Sequence, residues 1–245
     1  VDLDGFDYKA LIVDDSHINR AVLASFLRQQ GIGALHAANG AQALAAIKEN
    51  GFDIIMLDLN MPDMNGFELA RSIREIGAWC HDVPIVAVSA WFDEAHKEQV
   101  LDAGMQFLLP KPLDFHGLAE LLIELLPGMA SARMPKEKDN YGPHDYLALL
   151  DEEARQSIME RIENIPKDDF ARMQEAINNM DDAVLKMAAH ALIGLLAQLG
   201  DTKTSALCKQ LEDWPEECQD WSARDKMMKD IRSSYAQWRA ASPLW

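Results

Sequence analysis

Acidic, hydroxyl and amine side chains follow several short apolar runs in the first half of the sequence. The set consists of Asp14, Asp15, Asp58, Ser89 and Lys111. Clustered carboxylates repel one another unless a cation lies between them, and hard oxygen ligands with room for water favour Mg²⁺. One carboxylate can then attack a phosphoryl group, while the metal, the lysine and the hydroxyl neutralise and orient the phosphoryl oxygens. The residue types therefore indicate phosphoryl transfer, provided that the fold brings them together.

The apolar runs alternate with amphipathic segments, which is typical of strands that alternate with helices. The predicted strands are 10–13, 34–38, 53–57, 84–88 and 107–109, and the predicted helices lie near 17–29, 41–49, 66–76, 93–102 and 115–126. Strict alternation predicts a doubly wound α/β fold, with a five-stranded parallel sheet covered on both faces. In such a sheet, functional residues gather at the carboxyl ends of the strands. We therefore expect the candidate side chains to converge on one edge.

The second half of the sequence has a different pattern. The segment "PGMASARMPKEKDNYGP" has no periodicity and is rich in proline and glycine, which indicates a linker. Beyond it only helical spacing appears, for example at Phe170, Met173 and Ile177. We predict a first domain over 1–128, a linker over 129–143, and an all-α domain built on a four-helix bundle over 144–245.

One histidine stands out in the helical half, in "KMAAHALIGLLAQLG". With 3.6 residues per helical turn, one side of this helix is apolar and holds Leu185, Ala188, Leu192, Leu195, Leu196 and Leu199. His190 falls nearly opposite that side, on a face that also holds Lys186, Ile193 and Gly194. Because glycine has no side chain, Gly194 leaves the imidazole open to a second protein. A neutral imidazole is a good nucleophile near physiological pH. His190 is therefore a candidate nucleophile.

The first half resembles the receiver domain of two-component response regulators, through "LIVDDSHINR", "DIIMLDLNMPDMNGFEL", "PIVAVSA" and "AGMQFLLPKP". This resemblance implies a flavodoxin-like fold with strand order 2-1-3-4-5. It also implies that Asp58 accepts a phosphoryl group and that Ser89 and Lys111 bind its oxygens. The implied Mg²⁺ ligands are Asp58, Asp15 and the backbone carbonyl of Asn60, with Asp14 helping through water.

The helical half resembles the histidine phosphotransfer domain, through "AAHALIGLLAQLG" followed by "ALCKQLE". The resemblance implies that His190 carries a phosphoryl group, and Gly194 matches a glycine of that family. Ile193 stands where the family usually has a lysine that helps to hold the phosphoryl group. We expect Lys186, one turn before His190, to provide part of that support.

The two halves together resemble the carboxyl-terminal end of a tripartite hybrid sensor histidine kinase. The implied relay runs from a kinase histidine, in the same or a separate chain, to Asp58, then to His190, and then to an aspartate on a separate response regulator. The sequence has no glycine-rich nucleotide-binding motif. We therefore expect the phosphotransfer portion of such a kinase, without its ATP-binding kinase domain.

Two alternatives remain at this point. Because of Ile193, the second half could be a degenerate helical domain that does not transfer phosphate and serves as a partner-binding module. The first half could also be a phosphatase with an aspartyl nucleophile. That class would require a second acidic residue two positions after Asp58, where this sequence has Asn60.

The amino-acid composition disfavours several classes of binding partner. A net charge of −17 disfavours binding to nucleic acid and to anionic lipid. No apolar run reaches the roughly 18 residues needed to span a bilayer, so we expect no direct membrane insertion. Three scattered cysteines suggest a reducing compartment. We expect a cytoplasmic location, which includes the cytoplasmic part of a membrane-anchored sensor kinase.

Overall fold

The structure, a computed structural model, consists of two compact units, Val1–Asn140 and Tyr141–Trp245. The residues it describes are 3, 5–61, 64–89, 94–111, 113–126, 128–129, 152–215, 218 and 220–242. The predicted linker lies outside the described residues except for its first position, so its bounds stay a prediction.

A five-stranded parallel sheet forms the centre of the first unit. Its strands are β1 (Tyr8–Val13), β2 (Ile32–Ala37), β3 (Ile54–Asp58), β4 (Ile85–Ser89) and β5 (Phe107–Pro110). Their order is β2-β1-β3-β4-β5, and every neighbouring pair is parallel. The predicted fold class and strand order are confirmed. All residues of β3 and β4 are buried, which explains why these strands are apolar in the sequence up to Asp58 and Ser89 at their ends.

Five helices connect and follow the strands. They are α1 (His17–Gln29), α2 (Gly40–Glu49), α3 (Gly66–Ile76), α4 (Glu94–Asp102) and α5 (Phe115–Leu125). Side-chain oxygens of Ser16, Asn39, Asn65 and Asp114 accept hydrogen bonds from backbone N–H groups in the first turns of α1, α2, α3 and α5. Such caps satisfy donors that a helix start leaves without a partner. A short 3₁₀ helix, Ala78–His81, was not predicted.

The strand ends bring the candidate residues to one edge of the sheet. The register pairs Asp58 with Val88 and Ser89 with Pro110, and Asp14 directly follows β1. Gly66, the first residue of α3, lies against the same edge. A Cβ atom there would be 2.6 Å from the carbonyl oxygen of Asp58. A glycine at this position therefore allows α3 to begin beside the backbone of the candidate site.

The described part of the second unit contains five helices and no strand. They are α6 (Glu152–Asn164), α7 (Asp169–Asn179), α8 (Asp182–Gln198), α9 (Thr202–Glu212) and α10 (Trp221–Ala241). α8 packs on α7 and α9, and α10 packs on the same two helices, so these four form a closed bundle as predicted. α6 joins the bundle through Tyr235, whose hydroxyl donates to the carbonyl of Ile162 at 2.7 Å.

A buried arginine fixes the start of α10 to the start of α8. Arg224 is fully buried, and its Nη1 lies 2.5 Å from Oδ1 of Asp182. Its guanidinium stands over the ring of Trp221, 4.3 Å from the centroid, in an arrangement that favours a cation–π contact. Asp182 therefore neutralises a buried cation in the bundle.

Candidate functional site

Three carboxylates meet at the carboxyl edge of the sheet. One oxygen from each of Asp14, Asp15 and Asp58 lies within 4.8 Å of the other two. Asp14 and Asp58 are buried, and Asp15 is more exposed. The amide of Asn19 donates to both carboxylate oxygens of Asp14 at 3.1 Å. This set of hard oxygen donors fits a Mg²⁺ ion, because it offers several carboxylates and one solvent-facing side.

Lys111 bridges two of these carboxylates. Its Nζ lies 2.9 Å from Oδ2 of Asp14 and 2.6 Å from Oδ2 of Asp58. The loop after β5 is held in place because the Lys111 N–H donates to the carbonyl of Ser89 at 2.7 Å. The ammonium group is therefore held between the carboxylates of Asp14 and Asp58.

Asn60 and Ser89 complete the edge. The N–H of Asn60 donates to Oδ1 of Asp58 at 3.0 Å, and the Asn60 amide nitrogen lies 3.5 Å from Oγ of Ser89. The structure thus brings together Asp14, Asp15, Asp58, Asn60, Ser89 and Lys111, the whole set predicted for the first half. Their roles toward metal and phosphoryl oxygens remain proposals.

Burial controls the protonation of this cluster. It raises the pKa of Asp58 to about 6, and the nearby Asp14 carboxylate adds to the increase, while Lys111 opposes it. Burial alone would lower the pKa of Lys111, but Asp14 and Asp58 outweigh burial and raise it. Lys111 is therefore cationic. Ionised Asp58 is destabilised by its burial when no metal ion is bound.

The raised pKa of Asp58 gives a pH-dependent stability. The usual pKa of an aspartate in an unfolded chain is near 3.9, so the protonated form of Asp58 stabilises the folded unit. This contribution is fully present below about pH 3.9 and is lost as the pH rises through about 6. With chelator present, we expect Asp58→Asn to exceed wild type in free energy of unfolding by about 1–3 kcal/mol at pH 7.5. The difference should shrink at pH 4.5. Urea unfolding followed by NMR signals of β1 and β3 measures both values, and a pH-independent difference would contradict this assignment.

Comparison with known proteins identifies the first unit. Residues 10–123 match the family described as the response regulator receiver domain. These residues form a receiver domain. A stretch of 137 residues, 56% of this chain, is 32% identical to the sensor histidine kinase RcsC of Escherichia coli (strain K12) and covers 14% of RcsC.

Further relatives match the same half of the chain. A stretch of 112 residues is 36% identical to the autoinducer 1 sensor kinase/phosphatase LuxN of Vibrio campbellii and covers 46% of this chain and 13% of LuxN. The chemotaxis response regulator CheY4 of Vibrio cholerae is 31% identical over 49% of this chain and 98% of its own, with a TM-score of 0.46. The chain thus spans only a small part of the curated relatives that it matches. In the part of the chain that is described, no helix is both long and apolar enough to cross a membrane.

Outside the receiver domain, His190 on α8 contacts an acidic side chain of α9. Its Nδ1 lies 2.7 Å from Oε1 of Glu212, and the imidazole is 34% exposed. Burial would raise the pKa of Glu212, but hydrogen bonds from His190 and Lys209 outweigh burial and lower it. Glu212 is therefore an ionised acceptor, so Nδ1 of His190 must donate the proton. In a neutral ring Nε2 then carries the lone pair.

The other residues predicted around His190 have different surroundings. Gly194 is half-buried. Lys186 lies 3.1 Å from Asp182, the carboxylate that also pairs with buried Arg224. Ile193 was expected on the open face of α8 beside His190, but it is buried. α9 covers this edge of α8, and Oγ of Ser205 donates to the carbonyl of Ile193 at 2.8 Å.

Two residues of this site were not predicted from the sequence. Glu212 binds the imidazole, and Lys209 lies 2.8 Å from the second carboxylate oxygen of Glu212. Both belong to the segment "ALCKQLE", one turn apart on α9. That spacing places them on one face of a helix, but the periodicity of α9 does not show that this face meets His190.

Proposed function

We propose that this chain is a phosphorelay intermediate of two-component signalling. Asp58 accepts a phosphoryl group from a phosphohistidine, and His190 takes it from Asp58 and passes it to an aspartate on a separate response regulator. The carrying observation is the contact of Lys111 with both Asp14 and Asp58 at the edge of a receiver domain. The names of RcsC and LuxN, both sensor kinases, support a histidine kinase as the upstream partner.

The first step is nucleophilic attack by a carboxylate oxygen of Asp58 on phosphorus. The phosphorus–nitrogen bond of the donor breaks, the imidazole takes back its electron pair, and an acyl phosphate forms on Asp58. The ammonium group of Lys111 and the hydroxyl of Ser89 orient the transferred phosphoryl oxygens. Asp58, Asp15 and the carbonyl of Asn60, with Asp14 through water, would hold Mg²⁺, which supplies positive charge for these oxygens.

The second step is attack by Nε2 of His190 on the same phosphorus. The bond to Asp58 breaks and the carboxylate is restored, so the acyl phosphate supplies a good leaving group. Glu212 supports this step because its carboxylate stabilises the positive charge that develops on the ring. Gly194, one turn after His190, was predicted to leave space beside the imidazole, and a supporting lysine near the ring was predicted from the sequence, with Lys186 as the candidate.

A second candidate function rests on Ile193. Because this side chain is buried and apolar, it offers no charge to a phosphoryl group, as expected of a non-transferring bundle that binds a partner. The ionised carboxylate of Glu212 on Nδ1 favours transfer instead, since it prepares the ring as a nucleophile.

The two functions are tested by supplying a radiolabelled acyl phosphate with Mg²⁺ and examining the bound label. The relay yields both base-labile phosphoaspartate and acid-labile phosphohistidine, whereas the degenerate bundle yields phosphoaspartate alone.

Glu212 gives this proposal a residue-level prediction. We expect Glu212→Gln to lower the rate of phosphoryl transfer to His190 by about 10- to 100-fold, since a charge-assisted hydrogen bond worth roughly 1.5–3 kcal/mol is lost. Label uptake by Asp58 should not change. Rapid-quench time courses measure both steps, and Glu175→Gln, at an exposed position on α7, is the matched control. Equal rates in Glu212→Gln and Glu175→Gln would show that Glu212 does not prepare the ring.

A further inference from the structure

We propose that Lys209 provides the positive charge that stabilises the phosphoryl group on His190. This inference rests on the proposed function, because it concerns the phosphorylated state of that histidine. It assigns the task to α9, the helix next to the one that carries His190, and not to a residue of α8.

The packing of α8 on α9 places Lys209 at the level of His190. A tight turn at Gly200 joins the two helices, so they run antiparallel. The hydrogen bond from Ser205 to the carbonyl of Ile193 sets their register. Lys209 lies one turn after Ser205, and His190 lies about one turn before Ile193. In antiparallel helices these two displacements run in the same direction, so Lys209 and His190 stand at about the same level along the two helix axes.

A single carboxylate joins the ammonium group to the imidazole. Nζ of Lys209 lies 2.8 Å from Oε2 of Glu212, and Oε1 of Glu212 lies 2.7 Å from Nδ1 of His190. Lys209 also lies 2.8 Å from Oδ1 of Asp213. Its side chain is 26% exposed, so Lys209 is only partly buried.

Phosphorylation of His190 adds negative charge to a ring that already contacts a carboxylate. A phosphoryl group adds between one and two negative charges near neutral pH, and Glu212 already places a carboxylate against the ring. Lys209 is the cation paired with that carboxylate, and in this proposal it neutralises the added charge. Lys186 is less suited, because it is bound to Asp182, and Asp182 is also required by buried Arg224.

The test uses the full chain with Asp58→Asn, so that label resides only on His190, and phosphoramidate as the donor. In this reaction the phosphorus–nitrogen bond of phosphoramidate breaks, ammonia leaves, and a bond to Nε2 forms. We expect Lys209→Met to lower the rate of phosphohistidine formation by about tenfold. Lys209→Arg should stay within about threefold of the parent, since it keeps the charge. Lys203→Met, an exposed lysine on the same helix, is the matched control.

A ³¹P NMR titration distinguishes loss of the positive charge of Lys209 from a structural effect of the substitution. A nearby cation favours the doubly ionised phosphoryl group, so the pH titration of its ³¹P signal should move to higher pH in Lys209→Met and not in Lys209→Arg. Unaltered rates and an unaltered titration in Lys209→Met would overturn the inference, as would a loss seen in Lys186→Met instead. If His190 takes no phosphoryl group in the parent chain, the proposed function fails as well. Normal phosphorylation of His190 in every lysine variant would contradict this inference and leave the proposed function intact.

Discussion

Asp58→Asn is expected to reduce Mg²⁺-dependent label uptake from an acyl phosphate by roughly 1000-fold or more. An amide has no anionic oxygen to attack phosphorus, and Asp58 is the carboxylate that Lys111 contacts at 2.6 Å. Asp82→Asn, at an exposed position between the 3₁₀ helix and β4, is the matched control and should behave as wild type. Chelation of Mg²⁺ should reduce uptake by the wild-type chain in the same way.

The outcome depends on which carboxylate is the nucleophile. If Asp58→Asn accepts base-labile label at the wild-type rate, then another group of the cluster accepts the phosphoryl group. The assignment of Asp58 would then be wrong, although the receiver domain would remain a phosphoryl acceptor. Loss of uptake in both Asp58→Asn and Asp82→Asn would instead indicate a general defect of the unit.

His190→Gln is expected to abolish acid-labile, base-stable label in the chain, with a fall of roughly 1000-fold or more in the rate of its formation. Glutamine can still hydrogen bond to Glu212 but has no nucleophilic nitrogen. Uptake at Asp58 should stay within a factor of about two, because the receiver domain is unchanged and a surface substitution rarely costs more than about 0.5 kcal/mol.

The control for this variant is His116→Gln, a partly exposed histidine on α5. Label is separated into acid-labile and base-labile fractions after quenching. If His190→Gln retains acid-labile label, a different histidine carries the phosphoryl group. If the wild-type chain itself forms only base-labile label, the helical unit does not transfer phosphate and the partner-binding function is favoured.

The sheet, and the residues that meet at its carboxyl edge, could be predicted from the sequence. Doubly covered strands such as β3 and β4 are apolar up to the polar residue that ends each of them, so they stand out in the sequence, and the parallel arrangement follows from alternation with helices. Polar side chains at the carboxyl ends of such strands, or directly after them, therefore meet at one edge, as Asp58, Ser89 and Lys111 do. The 3₁₀ helix at Ala78–His81 was missed because four residues are too few to display a period.

The surroundings of His190 could not be predicted in the same way. Helical spacing orients residues on α8, but it does not give the register between α8 and α9. That register covers Ile193 and brings Glu212 to the imidazole. The contact joins positions 22 residues apart in the chain, and it depends on the turn at Gly200 and on Ser205. Local periodicity carries no information on such a contact.

The most direct test of the relay uses two variants that each lack one phosphorylation site. The His190→Gln chain is labelled at Asp58, freed of donor, and mixed with an Asp58→Asn chain of different mass in the presence of Mg²⁺. The proposed relay predicts that base-labile label leaves the first chain and that acid-labile, base-stable label appears on the second. Label that is released only as inorganic phosphate, with none on His190 of the second chain, would contradict the claim that the phosphoryl group passes from Asp58 to His190.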